Sequence, residues 1–420
     1  MAESTGLHQP RWLEQRLPPS TQRRLVVLTG ARQTGKTTLA RGVYGEALRY
    51  VSFDDLLLRT DLEEVPASRW AASVGPAILD EAQKAPAVFD KVKHAFDERQ
   101  LDFSVLLGSS RILLLDRVRE SLAGRAFLYD LWPLLLSELA AEAGGDLERP
   151  LLSRWLAEGT EALAEEPARR LGGLEERSLA ALQHLARWGG MPGLLELSDE
   201  DRRLWFRSFQ QTYLERDLID LVRLSDLQPF RKLQRLAMLR TAQLLNYSGL
   251  AQDAQIAAST ARRYLEYLHL TYQVLLLQPY HENLTSQVVK SPKLFWTDLG
   301  LLRGGTERWG ELDGGMFETL VVSEIHKWIS TAFEPSRLFY YRTRSGLEVD
   351  LLIEQDAGLL GVEAKHRERA VPRDLTSLRA VAVALGERWR GGVVVTRGRV
   401  LRELDQDLGI WEVPAHRLLS

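Results

Sequence analysis

Two groups of residues in this 420-residue chain have the types and spacing for phosphate chemistry, and they lie near opposite ends. Toward the N-terminus, "GARQTGKT" runs Gly30, Ala31, Arg32, Gln33, Thr34, Gly35, Lys36, Thr37, and Thr38 follows it. It fits G-x-x-x-x-G-K-[ST] at every fixed position. The glycines let backbone N–H groups curl around phosphate oxygens, and a helix N-terminus adds a favourable partial charge. Lys36 is expected to reach the β- and γ-phosphates of ATP, and Thr37 to bind Mg²⁺. In "AILDEAQ" an apolar strand ends in Asp80 and Glu81. Asp80 would hold the magnesium shell, and Glu81 would orient or deprotonate the attacking water. A further strand, "SVLLG", ends in Ser109 and Ser110, where a hydroxyl, Ser109 first, could sense the γ-phosphate. "SLAGR" sets Arg125 just before another strand. In oligomeric ATPases an arginine so placed can reach a neighbour's γ-phosphate, and a planar guanidinium suits that task; the alternative is an ordinary surface arginine.

The second group sits in "GLEVDLLIEQDAGLLGVEAK", residues 346–365, which reads as two strands and a turn. Side chains alternate faces along a strand, so Glu363 and Lys365 share a face. Asp350, on the adjacent strand, can project to the same place. Two carboxylates can hold a hard divalent cation such as Mg²⁺ through oxygen. Lys365 can orient water and stabilise a phosphate transition state. Upstream, "MFETLVVSEIHKW" reads as an amphipathic helix that offers Glu318 as a third acid, with Glu324 a second candidate more than a turn away. "YYRTRSG" adds Arg342 and Arg344 as phosphate contacts. The competing reading is an exposed hairpin whose E-x-K pair is a surface ion pair.

The elements that must position these residues follow from periodicity. "RRLVVLTG", "LRYVSFDD", "GPAILDE", "DFSVLLGSS" and "AFLYDLWPL" are strand-like runs separated by helical stretches, which predicts a parallel sheet flanked by helices. From about Leu134 to Val222 apolar residues recur at helical spacing. "YSGLAQDAQI" and "STARRYLEYLHLTY" have the rhythm of a helix-turn-helix, with Ser259 or Thr260 as cap of the second helix. Leu265, Leu268 and Tyr272 then share a face. Arg262 and Arg263 would sit in the first turn, where a recognition helix touches DNA. "QVLLLQPY" and "PKLFWTDLG" could form a wing, although such units also serve as ATPase lids and domain contacts. After "RGGTERWGELDGG" a helix is followed by strands again.

Composition narrows the classes. The net charge of −3 gives no global basic field, so contact with DNA must come from local patches. Cysteine is absent, which excludes disulfides and cysteine-ligated zinc. The opening "MAESTGLHQPRW" lacks the apolar core of a signal peptide, and no apolar run reaches the roughly 18 residues of a spanning helix. A cytoplasmic protein without membrane contact is expected.

"GARQTGKTTLA", "AILDEAQ", "LLGSSR", "SLAGR" and "RWGGMPGLL" together resemble the prokaryotic AAA-family ATPases. More narrowly, they resemble the subgroup that carries a C-terminal domain of unknown function similar to restriction endonucleases, matched here by residues 346–365 and "FETLVVSEI". The C-terminal combination is similar to the PD-(D/E)XK nucleases. The resemblance implies a lid after the ATPase core, with "GGMP" (Gly189 to Pro192) as its turn beside the nucleotide base. One departure is Ser109-Ser110, where many AAA proteins place asparagine. The expected fold is α/β: a P-loop NTPase parallel sheet (1–132), a helical lid (133–225), a winged-helix-like unit (226–305) and a PD-(D/E)XK nuclease-like domain (306–420). The implied function is a DNA-processing ATPase, homo-oligomeric and ring-forming, whose C-terminal domain binds DNA or cuts it. Alternatives are a branch-migration or remodelling motor whose nuclease-like domain only grips DNA, and a nucleotide switch for protein contacts.

Overall fold

The computed structural model of the chain describes residues 9–108, 111–222, 227–280 and 291–420. The five expected strands form at the front: β1 (Arg24–Thr29), β2 (Arg49–Ser52), β3 (Ala77–Asp80), β4 (Phe103–Leu107) and β5 (Ala126–Asp130). They pair in parallel in the order β2-β3-β4-β1-β5. β1 and β4 are continuous apolar runs because helices cover the sheet on both faces. Alternate residues of β1 feed different cores: Leu25 and Val27 go to one, Val26 and Leu28 to the other. The edge strand β5 leaves Phe127 and Leu128 exposed. The phosphate loop leaves the carboxyl end of β1, and the Lys36–Tyr44 helix follows it directly.

A helical segment comes next, with helices at Leu136–Ala140, Leu151–Glu158, Thr160–Ala164, Gly173–Trp188 and Asp199–Val222. The chain then runs through helix Gln228–Leu239, β6 (Gln243–Leu244), helices Tyr247–Ala254 and Ala258–Leu270, β7 (Val274–Pro279) and β8 (Lys293–Trp296). β8 pairs antiparallel with both β6 and β7. The second of the paired helices starts earlier than its sequence suggests. Ala257 is its N-cap and contributes no side-chain bond, so Ser259 and Thr260 lie inside the first turn and cap nothing. Arg262 and Arg263 fall in the second turn, not the first. The helix stops at Leu270, and Tyr272 leaves it in the left-handed region, at φ 63°. Tyr272 therefore does not extend the apolar face of Leu265 and Leu268.

The last part holds β9 (Arg337–Arg342), β10 (Glu348–Gln355), β11 (Gly358–Ala364), β12 (Trp389–Thr396), β13 (Arg402–Asp405) and β14 (Ile410–Pro414). β9, β10 and β11 form an antiparallel meander, whereas β11, β12 and β14 run parallel. β7 pairs in parallel with β9, so one nine-stranded sheet runs from β6 to β14 without a break at residue 305. Asp313 caps the Gly314–Ala332 helix through the Met316 N–H. This helix is buried on nearly all sides, not two-faced. One side shares a core with Leu351 and Val362 of the sheet. The other meets the front of the chain, where Trp328 packs edge-on against Trp12 at 5.1 Å and Ser330 Oγ accepts from Trp132 Nε1 at 2.9 Å. Among the described residues no helix is long and apolar enough to cross a membrane.

Candidate functional site

The phosphate loop keeps its shape through positions that only glycine fills easily. Gly30 has φ 145°, and a Cβ there would lie 2.2 Å from the Leu131 carbonyl oxygen; Gly35 has φ 92°. Thr34 Oγ1 donates to the Ala31 carbonyl at 2.9 Å. Lys36 Nζ donates to the Gly30 and Ala31 carbonyls at 3.0 and 2.7 Å. Thr37 Oγ1 donates to Asp80 Oδ2 at 2.8 Å, and the Tyr50 hydroxyl donates to the same oxygen at 2.7 Å. Burial, then this bond to Asp80, pushes the Tyr50 phenol up to about 12. Asp80 Oδ1 accepts from the Glu81 N–H at 2.9 Å. Glu81 itself sits in the left-handed region, φ 53°, with Oε2 taking a 2.5 Å bond from Gln83 Nε2. Lys36, Thr37, Asp80 and Glu81 line a cavity of about 420 Å³ together with Arg32, Gln33, Gly35 and Thr38, and Pro192 and Gly193 line it too. The turn that carries Pro192 thus reaches the phosphate loop.

Residues far along the chain hold this cavity in place. Arg11 is buried, and its guanidinium donates to the Thr34 carbonyl (2.9 Å), the Trp132 carbonyl (2.6 Å) and Glu138 Oε2 (3.0 Å). One side chain therefore clamps the loop to the Leu136–Ala140 helix. Asp298 Oδ2 accepts from the Gly190 N–H at 2.7 Å, and its Oδ1 accepts from Leu301 N–H at 2.9 Å. Burial raises the Asp298 carboxyl above the usual carboxylate range, and those N–H donors oppose the shift. The Tyr272 hydroxyl bonds both Thr29 Oγ1 and Asp130 Oδ1, at the carboxyl ends of β1 and β5. Arg125 lies at the other end of β5, away from its own loop. It makes a two-pronged pair with Asp97, Nε to Oδ1 at 2.6 Å and Nη2 to Oδ2 at 3.0 Å. Ser109 and Ser110 lie outside the described residues.

At the C-terminal site the β10–β11 hairpin pairs Leu351 with Val362, and the adjoining positions, Asp350 and Glu363, come together. Asp350 Oδ2 accepts from the Ala364 N–H at 2.9 Å. Lys365 Nζ lies 2.5 Å from Glu363 Oε1 and 3.9 Å from Asp350 Oδ2. Glu318 joins them from the Gly314–Ala332 helix, and its carboxylate oxygen lies within 4.8 Å of oxygens on Glu348 and Asp350. Burial, then the Asp350 charge, pushes the Glu363 carboxyl up to about 8. Glu318 is raised by the same two causes. Glu324 is not part of this group. It is buried at the other contact of its helix, accepting from the Leu136 N–H at 2.8 Å and pairing with Lys327. Arg342 donates to Glu348 Oε2 at 2.7 Å, and Arg344 is exposed in the turn beyond β9. Arg262 lies over the Tyr247 ring, 4.4 Å from its centroid.

Four functional positions escaped sequence reasoning: Arg11, Lys293, Asp298 and Glu348. Asp298 alone carried a local signal, as an aspartate one residue before a helix. Lys293 is buried, and its ammonium meets Glu318 at 2.5 Å, Glu348, and Asp350 at 3.6 Å. Nothing in "SPKLFW" marks it.

A family model described as an AAA domain matches residues 22–140. Two domains of unknown function, DUF8612 and DUF4143, match residues 179–306 and 313–418. Over 373 residues the chain is 30% identical to the uncharacterized protein Rv2008c of Mycobacterium tuberculosis (strain ATCC 25618 / H37Rv), covering 86% of this chain and 74% of the relative. The uncharacterized protein Mb2031c of Mycobacterium bovis (strain ATCC BAA-935 / AF2122/97) matches to the same extent. Among solved structures, the ORC2 protein of Aeropyrum pernix in its ADP form is 14% identical with a TM-score of 0.28, over 63% of this chain and 84% of that one. The signal-transduction ATPase PH0952 of Pyrococcus horikoshii is 12% identical with a TM-score of 0.26, over 79% and 49%. At these TM-scores the likeness transfers neither fold nor function.

Proposed function

The chain belongs to the same family as these mycobacterial proteins and carries an AAA domain toward its front, and on that premise we propose that it is a Mg²⁺-dependent ATP hydrolase that acts on DNA. The observation that carries the first half is the single cavity uniting Lys36, Thr37, Asp80 and Glu81 with Pro192 and Gly193. Lys36 rests its ammonium on two loop carbonyls, acceptors that phosphate oxygens can replace at little cost in reorganisation. Thr37 and Asp80 would hold Mg²⁺, which neutralises charge on the β- and γ-phosphates. Glu81, held by Gln83, orients water toward the loop. Pro192 and Gly193 add the lining that comes from outside the loop and the strand ends. The test is turnover: Lys36→Ala abolishes nucleotide binding or hydrolysis, and Glu81→Gln keeps binding while trapping ATP.

Two observations favour DNA as the macromolecule acted on. The order helix, β6, helix, helix, β7, β8, with β8 antiparallel to both other strands, supports the winged-helix reading of residues 226–305. The meeting of Asp350, Glu363 and Lys365 supports the nuclease-like reading of residues 306–420. In the same reading residues 1–132 are the ATPase core and 133–225 its lid, and the protein works in the cytoplasm as a homo-oligomer. DNA that raises the ATPase rate supports this reading. Asp350→Ala and Lys365→Ala then separate cutting from gripping: both abolish nicking if the site cuts, and both weaken DNA affinity alone if it grips.

A further inference from the structure

Lys293 opens β8 and is 2% exposed. Its ammonium contacts three carboxylates, from Glu318 on the Gly314–Ala332 helix and from Glu348 and Asp350 on β10. Oxygens of those three acids lie within 4.8 Å of one another, close enough for one cation to bridge them all. Three carboxylates this close, Asp350 buried and Glu318 and Glu348 partly so, repel each other strongly unless a cation sits among them. Burial works against the charge on Lys293, but Asp350, Glu318 and Glu348 overcome it and hold the ammonium protonated. A fourth acid borders the group. Glu363 is 6% exposed, and its Oε2 has no hydrogen-bond partner among the described residues. It is an unused ligand atom beside Asp350.

We propose that Lys293 is the resident cation of this site, seated where Glu318, Glu348 and Asp350 would otherwise hold a divalent metal ion, so that the site takes up Mn²⁺ or Mg²⁺ only when the lysine is withdrawn. An ammonium and a divalent ion cannot share the space, because like charges a few ångströms apart in a poorly solvated site repel strongly. With Lys293 seated, its ammonium offsets part of the charge of Glu318, Glu348 and Asp350 and fills the space a metal ion would need, and Lys365, the more exposed of the two lysines, is the one that can meet phosphate. Asp350, Glu363 and Lys365 are then arranged for grip, and cleavage waits on the departure of one side chain. This rests on the reading of the C-terminal site as one that meets DNA, and not on ATP hydrolysis at the phosphate loop.

The test is Mn²⁺ uptake by the full-length, nucleotide-free chain, followed by the electron paramagnetic resonance of free Mn²⁺. Wild type, Lys293→Met and Lys293→Met/Glu348→Gln are compared, each with and without Asp350→Asn to isolate this site from the phosphate loop. Wild type should show no uptake that Asp350→Asn removes. Lys293→Met should gain an Asp350-dependent site that binds at least about tenfold more tightly than any site in wild type. The double variant, which removes one charge of each sign, should gain it too if the single variant folds poorly. Mn²⁺ should also raise the melting temperature of the lysine variants and leave that of wild type unchanged. Asp350-dependent uptake by wild type would overturn the proposal. So would folded lysine variants that gain no site, or a failure of both variants to fold even with Mn²⁺.

Discussion

Asp298 and Gly190 are joined by a 2.7 Å hydrogen bond that ties the chain just beyond β8 to the turn lining the nucleotide cavity. Gly189, at φ 74°, leaves room for the carboxylate; a Cβ there would lie 2.2 Å from Asp298 Oδ1. Lys293, at the start of the same strand, sits in the acid site. One short strand therefore reaches toward both chemical sites. Asp298→Ala leaves the Gly190 and Leu301 N–H groups buried without that acceptor, at a cost of about 1–3 kcal/mol each. The expected result is a lower melting temperature and a raised KM for ATP, because Pro192 and Gly193 lose their anchor. An unchanged KM in a destabilised variant would show that the turn is structural only.

Arg11 should matter to nucleotide affinity although it does not line the cavity. Its buried pair with Glu138 and its bond to the Thr34 carbonyl fix the loop from behind. Removing one partner of a buried ion pair costs about 3–5 kcal/mol. Arg11→Ala is expected to lower stability by that order and to weaken ATP binding. Arg11→Lys should recover part of the stability but not the three-way geometry. Isothermal titration with a non-hydrolysable ATP analogue measures the binding component.

Arg125 cannot serve its own loop, since the two lie at opposite ends of the parallel pair β1–β5. The exposed Phe127 and Leu128 on the same edge strand suit a subunit contact. Mixing Arg125→Ala with Lys36→Ala protein should restore part of the ATPase activity if the arginine acts across subunits. Asp97→Ala, which frees Arg125 from its partner, should leave that complementation intact. Full activity in a strictly monomeric protein contradicts the assignment.

His184 gives a pH dependence with a definite sign. Burial, then the Arg202 charge, lowers its imidazole from 6.5 to about 4. Between those values the unfolded chain binds a proton and the folded one does not, so stability falls as pH drops from 6.5 toward 4. Melting temperatures of wild type and His184→Gln between pH 7 and 5 should therefore converge, with wild type losing more on acidification. Parallel curves would contradict the shift.

The parts legible in the sequence were those with local signatures. The phosphate loop is eight consecutive residues with a fixed spacing, and Asp80 and Glu81 are adjacent at the end of an apolar strand. The strand runs of the front sheet and the Asp350–Glu363–Lys365 grouping followed from alternation and a short hairpin. Lys293 was not legible, because what brings it to Glu318 and Glu348 is pairing between segments distant in sequence: β8 on β7, then β7 on β9. Arg11 and Tyr272 share that reason; each acts on atoms more than a hundred residues away. The cap expected at Ser259 or Thr260 failed on a smaller scale. The cap lies at Ala257, two residues before Ser259, and propensity does not fix a boundary that finely.

ATP hydrolysis is proposed for the cavity of Lys36, Thr37, Asp80 and Glu81. The most direct measurement is steady-state phosphate release with Mg²⁺ and ATP, by wild type, Lys36→Ala and Glu81→Gln, alongside nucleotide retention on each protein. Wild type should turn over, Lys36→Ala should neither bind nor hydrolyse, and Glu81→Gln should retain ATP with turnover down by about a hundredfold or more. Phosphate release by Lys36→Ala at the wild-type rate would contradict it.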